Sequence, residues 1–213
     1  MVAESTGGKK RVRKNPEERR REIAEAAAKL IGERGSNAVS IRDVADEVGM
    51  SHSGLLHYIG DKNGLIRMVI DDVYAGGGTV DDFLRSGLPG SDPEGPLFPA
   101  YLRFLVRHNA QRRSMVRLFS VLSVESLSVS HPLHEDFERR FDDIWQDYLP
   151  FPWRIPPQVG DWETVMRPRV RLCMETMDGI QLRWLRDSPI DLYDEWLQFE
   201  SIMFPSPLWD GYK

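Results

Sequence analysis

The chain has 213 residues, of which 41% are hydrophobic and 29% are charged, a composition typical of one soluble domain or two modest ones. Its single cysteine, Cys173, excludes an intrachain disulfide and suits a reducing cytosol. No apolar run approaches the roughly 18 residues of a transmembrane helix, and the basic N-terminus lacks the apolar segment of a secretory signal. We therefore expect a cytoplasmic protein without a membrane partner.

The formal net charge of −5 argues against nucleic-acid binding, but the charge is unevenly distributed. Residues 1–67 hold 13 basic and 10 acidic residues, a net charge of +3, and the remainder holds 15 and 23, a net charge of −8. A basic end beside an acidic body fits a DNA-binding head on a domain that does not touch DNA. The alternative is that the basic residues of the first segment, 1–14, are merely a solvated, disordered tail.

The first periodic segment predicts a helix that begins at Asn15 and ends at Gly35. Asn15 supplies the cap, Pro16 a first-turn proline, and Glu18 the acidic residue three positions after the cap. All later periodic segments also predict helices, and none shows convincing strand alternation. The predicted fold class is therefore all-α with about nine helices: an N-terminal three-helix head, followed by a C-terminal helical bundle.

Residues 40–62 predict two short helices joined by a tight turn. Ser40 caps the first helix, and Asp43 completes a variant of the capping box. Gly49 makes the turn, where a left-handed backbone carries no steric penalty. Ser51 caps the second helix, which leaves Ser, His and Tyr side chains on its free face. This arrangement is typical of a helix-turn-helix DNA reader, although an ordinary helical hairpin with a solvated face is the alternative.

The run from Ser51 to Lys62, Ser-His-Ser-Gly-Leu-Leu-His-Tyr-Ile-Gly-Asp-Lys, resembles the recognition-helix signature of the tetracycline-repressor (TetR) family of bacterial regulators. In that signature a Ser, two variable residues and a small residue precede Leu-Tyr-x-(His/Tyr)-Phe, and a Lys opens the next helix. Leu56 stands where Tyr is commonest, which removes one expected phosphate-contacting hydroxyl, and Ile59 replaces the usual Phe. The resemblance implies a TetR-like regulator that acts as a homodimer, and nothing in the chain predicts a cofactor.

The resemblance also assigns DNA contacts to this region. The residues assigned to base edges and the DNA backbone are His52, Ser53, Gly54 and His57. The residues assigned to phosphates are Tyr58 and Lys62, with Arg42 as a further candidate. The two cap residues, Ser40 and Ser51, complete the predicted set. Because the reading helix carries no Arg or Asn, we expect few bidentate base contacts and a larger part for Ser and His contacts, water and DNA shape.

Beyond the head, a fourth helix begins at Asp61, and the glycines at 76–78 end or loosen it. The Gly- and Pro-rich segment 87–96 predicts a loop, and long helices follow it. We therefore divide the chain into a basic disordered tail (1–14), a DNA-binding helix-turn-helix domain with its linking helix (15–75), and a ligand-binding and dimerisation domain (76–213).

Three stretches of the second half, 108–110, 117–125 and 177–185, resemble the ligand-binding half of some actinobacterial TetR-type regulators. The resemblance implies a pocket between the body helices. The residues predicted to line it are Tyr101, Phe104, Met115, Phe119, Phe141, Trp145, Met174, Met177, Asp178 and Gln181. For any single apolar residue the alternative is packed core. Asp178 and Gln181 either orient a ligand or face solvent or a second subunit.

The last two long helices are predicted to pair with their copies in a second subunit. The residues predicted to form that interface are Ile180, Trp184, Leu192, Trp196, Phe199 and Met203. Two subunits are needed because two heads roughly 34–36 Å apart meet successive major grooves of a palindrome, whereas one short helix reads few bases. His131 and His134 resemble part of a metal site, but no further ligands accompany them, so we expect structural capping and no metal.

These features predict a DNA-binding transcriptional regulator, most simply a repressor that binds a palindromic operator as a homodimer and is released by a small, largely apolar ligand. Its expected partners are double-stranded DNA, a small-molecule effector and a second copy of the chain. One alternative is a ligand-independent DNA-binding or architectural protein with a filled body. The other is a helical enzyme or small-molecule carrier, although no Gly-rich phosphate loop or Ser nucleophile elbow favours catalysis.

Overall fold

A computed structural model describes residues 15–71, 76–187 and 189–213, and this part of the chain is all-helical, as predicted. Its helices are α1 (Pro16–Arg34), α2 (Ile41–Glu47), α3 (His52–Ile59), α4 (Lys62–Val69), α5 (Val80–Arg85), α6 (Phe98–Ala110), α7 (Arg113–Glu125), α8 (His134–Tyr148), α9 (Trp162–Val165), α10 (Arg167–Arg186) and α11 (Leu192–Met203). The predicted tail, residues 1–14, lies outside the described residues.

The two helices that the sequence did not predict, α5 and α9, are both short. An isolated backbone bridge joins Leu97, at the start of α6, to Arg154 in the Pro-rich segment between α8 and α9. None of the helices in the described ranges is both long and apolar enough to cross a membrane.

The head helices begin where side chains cap their free backbone N–H groups. The Asn15 side chain accepts a hydrogen bond from a first-turn N–H at 3.2 Å. Ser40 and Asp43 cap reciprocally: Ser40 Oγ accepts from Asp43 N–H at 3.2 Å, and Asp43 Oδ2 accepts from Ser40 N–H at 2.7 Å. Gly35 and Gly49 end α1 and α2 with φ angles of 84° and 63°, which favour glycine. The predicted caps and turns of the head are thus confirmed.

The three-helix head packs on α4 and α7 through one buried cluster. Ile23, Val44 and Leu55 are fully buried and bring α1, α2 and α3 together. Leu118 of α7 belongs to the same cluster, and a Cβ added at Gly32 would lie 3.6 Å from the Leu118 backbone nitrogen, so α1 crosses α7 closely. The predicted body therefore supplies part of the head core, and α7 cannot move without disturbing α1.

The second buried cluster fills the body and is rich in aromatic rings. Trp153 stacks on Trp162 of α9 with ring centroids 5.4 Å apart. After α11, Trp209 folds back against Phe204 with centroids 4.7 Å apart. Rings at these separations interact favourably beyond their burial, so they hold the Pro-rich segment, α9 and the C-terminal segment to the body.

Three of the residues predicted to form the dimer interface are instead buried inside the single chain. Trp184, Leu192 and Trp196 are 7%, 2% and 0% exposed. Trp196 Nε1 also donates a hydrogen bond to Glu200 Oε2 at 3.2 Å. A side chain enclosed by its own subunit offers no surface to a partner, so these three are not interface residues. The others, Ile180, Phe199 and Met203, are partly buried.

Candidate DNA-contacting surface and ligand cavity

The reading helix α3 presents one polar face and buries the other. Its exposed candidates are His52, Ser53 and His57, and its half-buried candidates are Gly54 and Tyr58. Leu55 and Ile59 anchor the opposite face in the head core, because their side chains are 0% and 6% exposed. The structure therefore leaves the predicted DNA-contacting side of α3 free.

A shallow groove of about 460 Å³ lies beside the start of α3. It is lined by residues 37–42 together with His52 and Lys62, which come from three different parts of the head. Arg42 is exposed, and Lys62 Nζ donates to the carbonyl oxygen of Asn37 at 3.4 Å. Two cations at such a groove suit a DNA phosphate, and phosphate contacts set the position of a reader on the duplex.

The hydroxyl groups of Ser40 and Ser51 are engaged in capping. Ser40 Oγ donates to Asp43 Oδ2 at 2.5 Å, and Ser51 Oγ accepts from Gly54 N–H at 3.1 Å. The hydrogen bonds from Ser40 hold the pKa of Asp43 below its ordinary value. The side chains of both serines therefore position the backbones of α2 and α3.

Polar contacts tie the head to α7 and to the start of α8. Ser36 N–H, just after α1, donates to the two carboxylate oxygens of Glu125 at 2.9 and 3.1 Å. Arg67 of α4 donates to Pro132 O at 2.6 Å and to Asp136 Oδ2 at 3.3 Å. The helix that follows the reading helix is therefore fastened to α8.

A cavity of about 520 Å³ lies between α5, α6, α7, α8 and α10. Its volume falls in the range of small-molecule sites in proteins. The predicted pocket residues that line it are Tyr101, Met115, Phe119, Met174, Met177, Asp178 and Gln181. The structure thus brings most of the predicted set to one enclosed space.

The predicted residues outside the cavity wall are Phe104, Phe141 and Trp145. Trp145 belongs to the aromatic core, where it stacks on Trp162 with centroids 5.7 Å apart. Leu105 and Ile144, the sequence neighbours of Phe104 and Trp145, line the cavity in their place. Adjacent residues of a helix point about 100° apart. A prediction that is wrong by one position therefore selects a side chain that points away from the cavity.

Arg140 of α8 is a cavity residue that the sequence did not single out. Its guanidinium donates to both carboxylate oxygens of Asp178 at 2.7 and 3.2 Å, and it lies 4.8 Å from the ring centroid of Phe119. Burial raises the pKa of Asp178, and the adjacent guanidinium opposes that rise. Helical spacing could have identified Arg140, because Phe137, Arg140 and Ile144 lie on one face of α8.

Asn109, Arg112 and Gln181 form a polar part of the cavity wall. Gln181 is only 4% exposed, and no residue in the described ranges gives its side-chain amide a hydrogen-bond partner. Asn109 Nδ2 makes a long contact, 3.8 Å, to Met177 Sδ. Arg112 donates to His108 Nε2 at 2.8 Å, and burial lowers the pKa of His108, which favours the neutral imidazole.

The two histidines that resembled part of a metal site hold the connection between α7 and α8. His134 Nδ1 donates to the carbonyl oxygen of Ser126 at 2.8 Å. His131 Nδ1 accepts a hydrogen bond from Leu133 N–H at 3.3 Å. Across the residues that the structure describes, no group of three or more His, Cys, Asp or Glu is placed to hold a metal ion. These contacts agree with the predicted structural role.

A known family and several curated proteins match part of the chain. The family of bacterial regulatory proteins described as the tetR family matches residues 23–69, from within α1 to the end of α4. The HTH-type transcriptional repressor KstR2 of Rhodococcus jostii is 34% identical over 74 residues, which are 33% of this chain and 35% of that protein. The HTH-type transcriptional regulator BetI of Brucella anthropi is 46% identical over 48 residues, 22% of this chain and 25% of that protein. The chain thus spans about a third or less of the length of these two curated relatives.

Solved structures extend the similarity to the body. A crystal structure assigned to the TetR family of transcriptional regulators, from Rhodococcus sp., superposes with a TM-score of 0.61 at 19% identity. The match covers 88% of this chain and 98% of that one. At this level of identity the similarity concerns the fold of the matched 88% of the chain, and it does not identify a ligand.

Proposed function

We propose that the chain is a TetR-family DNA-binding repressor that recognises a palindromic operator as a homodimer and is released by a small, largely apolar ligand; the match of residues 23–69 to the tetR family supports this. The relatives and the fold are those of regulators rather than enzymes, so the helical-enzyme alternative is set aside. The observation that carries the proposal is that His52, on the exposed face of α3, lines one groove together with Arg42 and Lys62.

Two sets of residues bind DNA in this proposal: one positions the head on the duplex, and the other recognises the bases. Arg42 and Lys62 contact phosphates on either side of the groove and set the position of the head. His52, Ser53 and His57 then face the base edges in the major groove. Because none of them makes the bidentate contacts of Arg or Asn, sequence preference depends on single hydrogen bonds, bridging water and the shape of the operator.

The homodimer in this proposal forms through the outer face of α10 and α11. Leu172 and Ile202 are 46% and 78% exposed. The ion pair between Arg183 Nη1 and Glu195 Oε2, 2.9 Å long, joins the two helices along this face, and helical spacing places Leu172 and Ile202 in line with it. A Cβ added at Gly179 would meet nothing within 4 Å, so a second helix has room to approach there.

Ligand release in this proposal runs through α8. Arg140 in the cavity wall and Asp136, four residues earlier, lie on the same side of α8, and Asp136 accepts the hydrogen bond from Arg67 of α4. A ligand that displaces α8 therefore moves α4 and changes the spacing of the two heads. To convert a population from 1:99 to 99:1, the ligand must favour the released state by about 5.5 kcal/mol.

The cavity also separates this proposal from a ligand-independent DNA-binding protein. That alternative predicts a filled body, whereas about 520 Å³ is enclosed between five helices.

The test of DNA binding uses fragments selected from random DNA with the full chain. Lys62→Ala should weaken binding to all selected sequences alike and lower the salt slope by about one per subunit, because one phosphate contact is lost. Arg154→Ala removes the same charge from an exposed position in the body, so it serves as the matched control and should leave the slope unchanged. An unchanged slope in Lys62→Ala, or the absence of any selectively bound fragment, would contradict the proposal.

A further inference from the structure

We infer that the cavity takes an uncharged ligand, an apolar molecule with one hydroxyl or carbonyl oxygen that hydrogen-bonds to the side-chain amide of Gln181. The inference rests on the proposed function, because it names the chemistry of the effector that would occupy this cavity. It is carried by three features of the wall: its Met and aromatic side chains, the amide of Gln181, which makes no hydrogen bond to the described residues, and the Arg140–Asp178 ion pair.

The apolar lining determines the body of the ligand. The wall includes Met115 and Phe119 of α7, Met174 and Met177 of α10, and Tyr101 of α6. Methionine side chains adapt to irregular shapes and contact aromatic rings favourably. A ring-containing hydrocarbon body therefore suits the side chains of Phe119, Met174 and Met177.

Gln181 determines the functional group. Its side chain is 4% exposed, borders the cavity and lacks a hydrogen-bond partner among the described residues. Its N–H₂ group can donate to a carbonyl or hydroxyl oxygen of a ligand, and its C=O group can accept from a hydroxyl. A ligand with one such oxygen therefore gains a hydrogen bond at this part of the wall. Asn109 Oδ1 adds an acceptor in the wall, since the Asn109 amide nitrogen is the atom directed at Met177 Sδ.

The charges around the cavity disfavour an ionic ligand of either sign. Arg140 and Asp178 neutralise each other through two contacts of 2.7 and 3.2 Å. Arg112 lines the cavity and donates to His108 Nε2 at 2.8 Å, and the exposed Asp81 and Asp147 add carboxylates of opposite charge to the same wall. A ligand charge placed among the apolar side chains would lose its hydration without gaining a dedicated counter-ion.

The experiment compares three probes of one shape by equilibrium dialysis against the full chain without DNA: naphthalene, 2-naphthalenemethanol and 2-naphthoate. The alcohol should bind the unmodified chain more tightly than the naphthoate anion. Gln181→Leu should change the ratio of the naphthalene and alcohol dissociation constants by roughly tenfold in favour of naphthalene, because one buried hydrogen bond is removed. The exposed Gln146 of α8 provides the matched control, and Gln146→Leu should leave that ratio unchanged.

Stability provides a second readout for the same variant. Gln181→Leu replaces an unpartnered buried amide with an apolar side chain of similar size, so the ligand-free protein should unfold at the same or a higher temperature. An unchanged probe ratio in Gln181→Leu, tighter binding of the naphthoate, or no binding of any probe would overturn the inference.

Release of operator DNA is measured separately, so that the two proposals can fail independently. If the alcohol binds through Gln181 but leaves the DNA complex intact, the effector role of the cavity fails while the ligand chemistry stands. If an effector releases DNA equally well from Gln181→Leu, the regulatory role stands and this inference fails.

Discussion

The reading helix α3 and the long helix α10 both carry polar residues at helical spacing, yet they use them in opposite ways. In α3, His52, Ser53 and His57 are exposed on a short helix that a serine cap begins. In α10, Asp178 and Gln181 face a cavity enclosed by four other helices. The exposed residues of α3 are placed to contact a large partner, whereas Asp178 and Gln181 border a cavity that only a small molecule can enter. The same spacing in the sequence therefore has two meanings.

The largest expected effect is a loss of stability, and it distinguishes residues buried within the chain from residues that face a second copy. Trp196→Ala should lower the free energy of unfolding by about 3–5 kcal/mol, because it empties a fully buried aromatic site. It also leaves Glu200 without the indole N–H that now donates to it. Chemical denaturation followed by circular dichroism measures this loss.

The paired variant on the outer face is Ile202→Glu, at a position 78% exposed in the single chain. It should retain native helical content and sediment as a monomer, because a buried interface rejects an unpaired carboxylate. A dimer that survives Ile202→Glu would refute the assignment of this face to the interface. Unchanged stability of Trp196→Ala would refute the assignment of Trp196 to the core of the single chain.

The next effect is a loss of coupling between the effector cavity and the DNA-binding head. Arg67→Ala should reduce the coupling between effector and DNA by about 0.5–2 kcal/mol, since it removes the contacts from α4 to Pro132 and Asp136. Operator affinity measured with and without effector gives this coupling directly. Arg139→Ala is the matched control, because Arg139 also lies near Asp136, at 3.8 Å, but belongs to α8 itself. Equal loss of coupling in both variants would argue against a route through α4.

The smallest expected effect is a pH dependence that differs in sign between the regions. Hydrogen bonds from Ser40 lower the pKa of Asp43 from its ordinary value of 3.8, so its stabilising effect is present above that value and is lost as the pH falls. Burial raises the pKa of Asp178, so its ionisation opposes folding as the pH rises through 3.8 and above. Urea unfolding between pH 3 and pH 6 should show a weaker loss at low pH for Asp43→Asn than for the unmodified chain, and an identical loss would count against the capping role.

Much of the head could be predicted because its signals are local. The caps at Asn15, Ser40 and Ser51 act on backbone groups two or three residues away, so a short stretch of sequence contains both partners. Glycine at the turn after α2 needs no distant contact to take a positive φ. Arg42 and Lys62 were each predicted to contact phosphate, and the packing of the head brings both to one groove.

The cavity wall could be predicted only in part, because it depends on the register of several helices at once. The family resemblance and the Met and aromatic content of the body identified Met174 and Met177 on α10, but they did not distinguish Ile144 from Trp145 on α8. Arg140 was missed since a charged residue on a helix is ordinarily read as solvated, and only the approach of α10 gives it Asp178 as a partner.

The amino-acid sequence by itself determined the all-helical class, the bounds of the head helices and the polar face of α3, because caps, turns and helical periods act within a few residues. The tertiary structure alone decided which apolar faces close on the chain's own core, as with Trp196, and which stay outside, as with Ile202. It also decided that Gln181 is enclosed without a partner. These outcomes depend on distances between helices that are far apart in the chain, and hydrophobic burial, which drives their packing, is not directional.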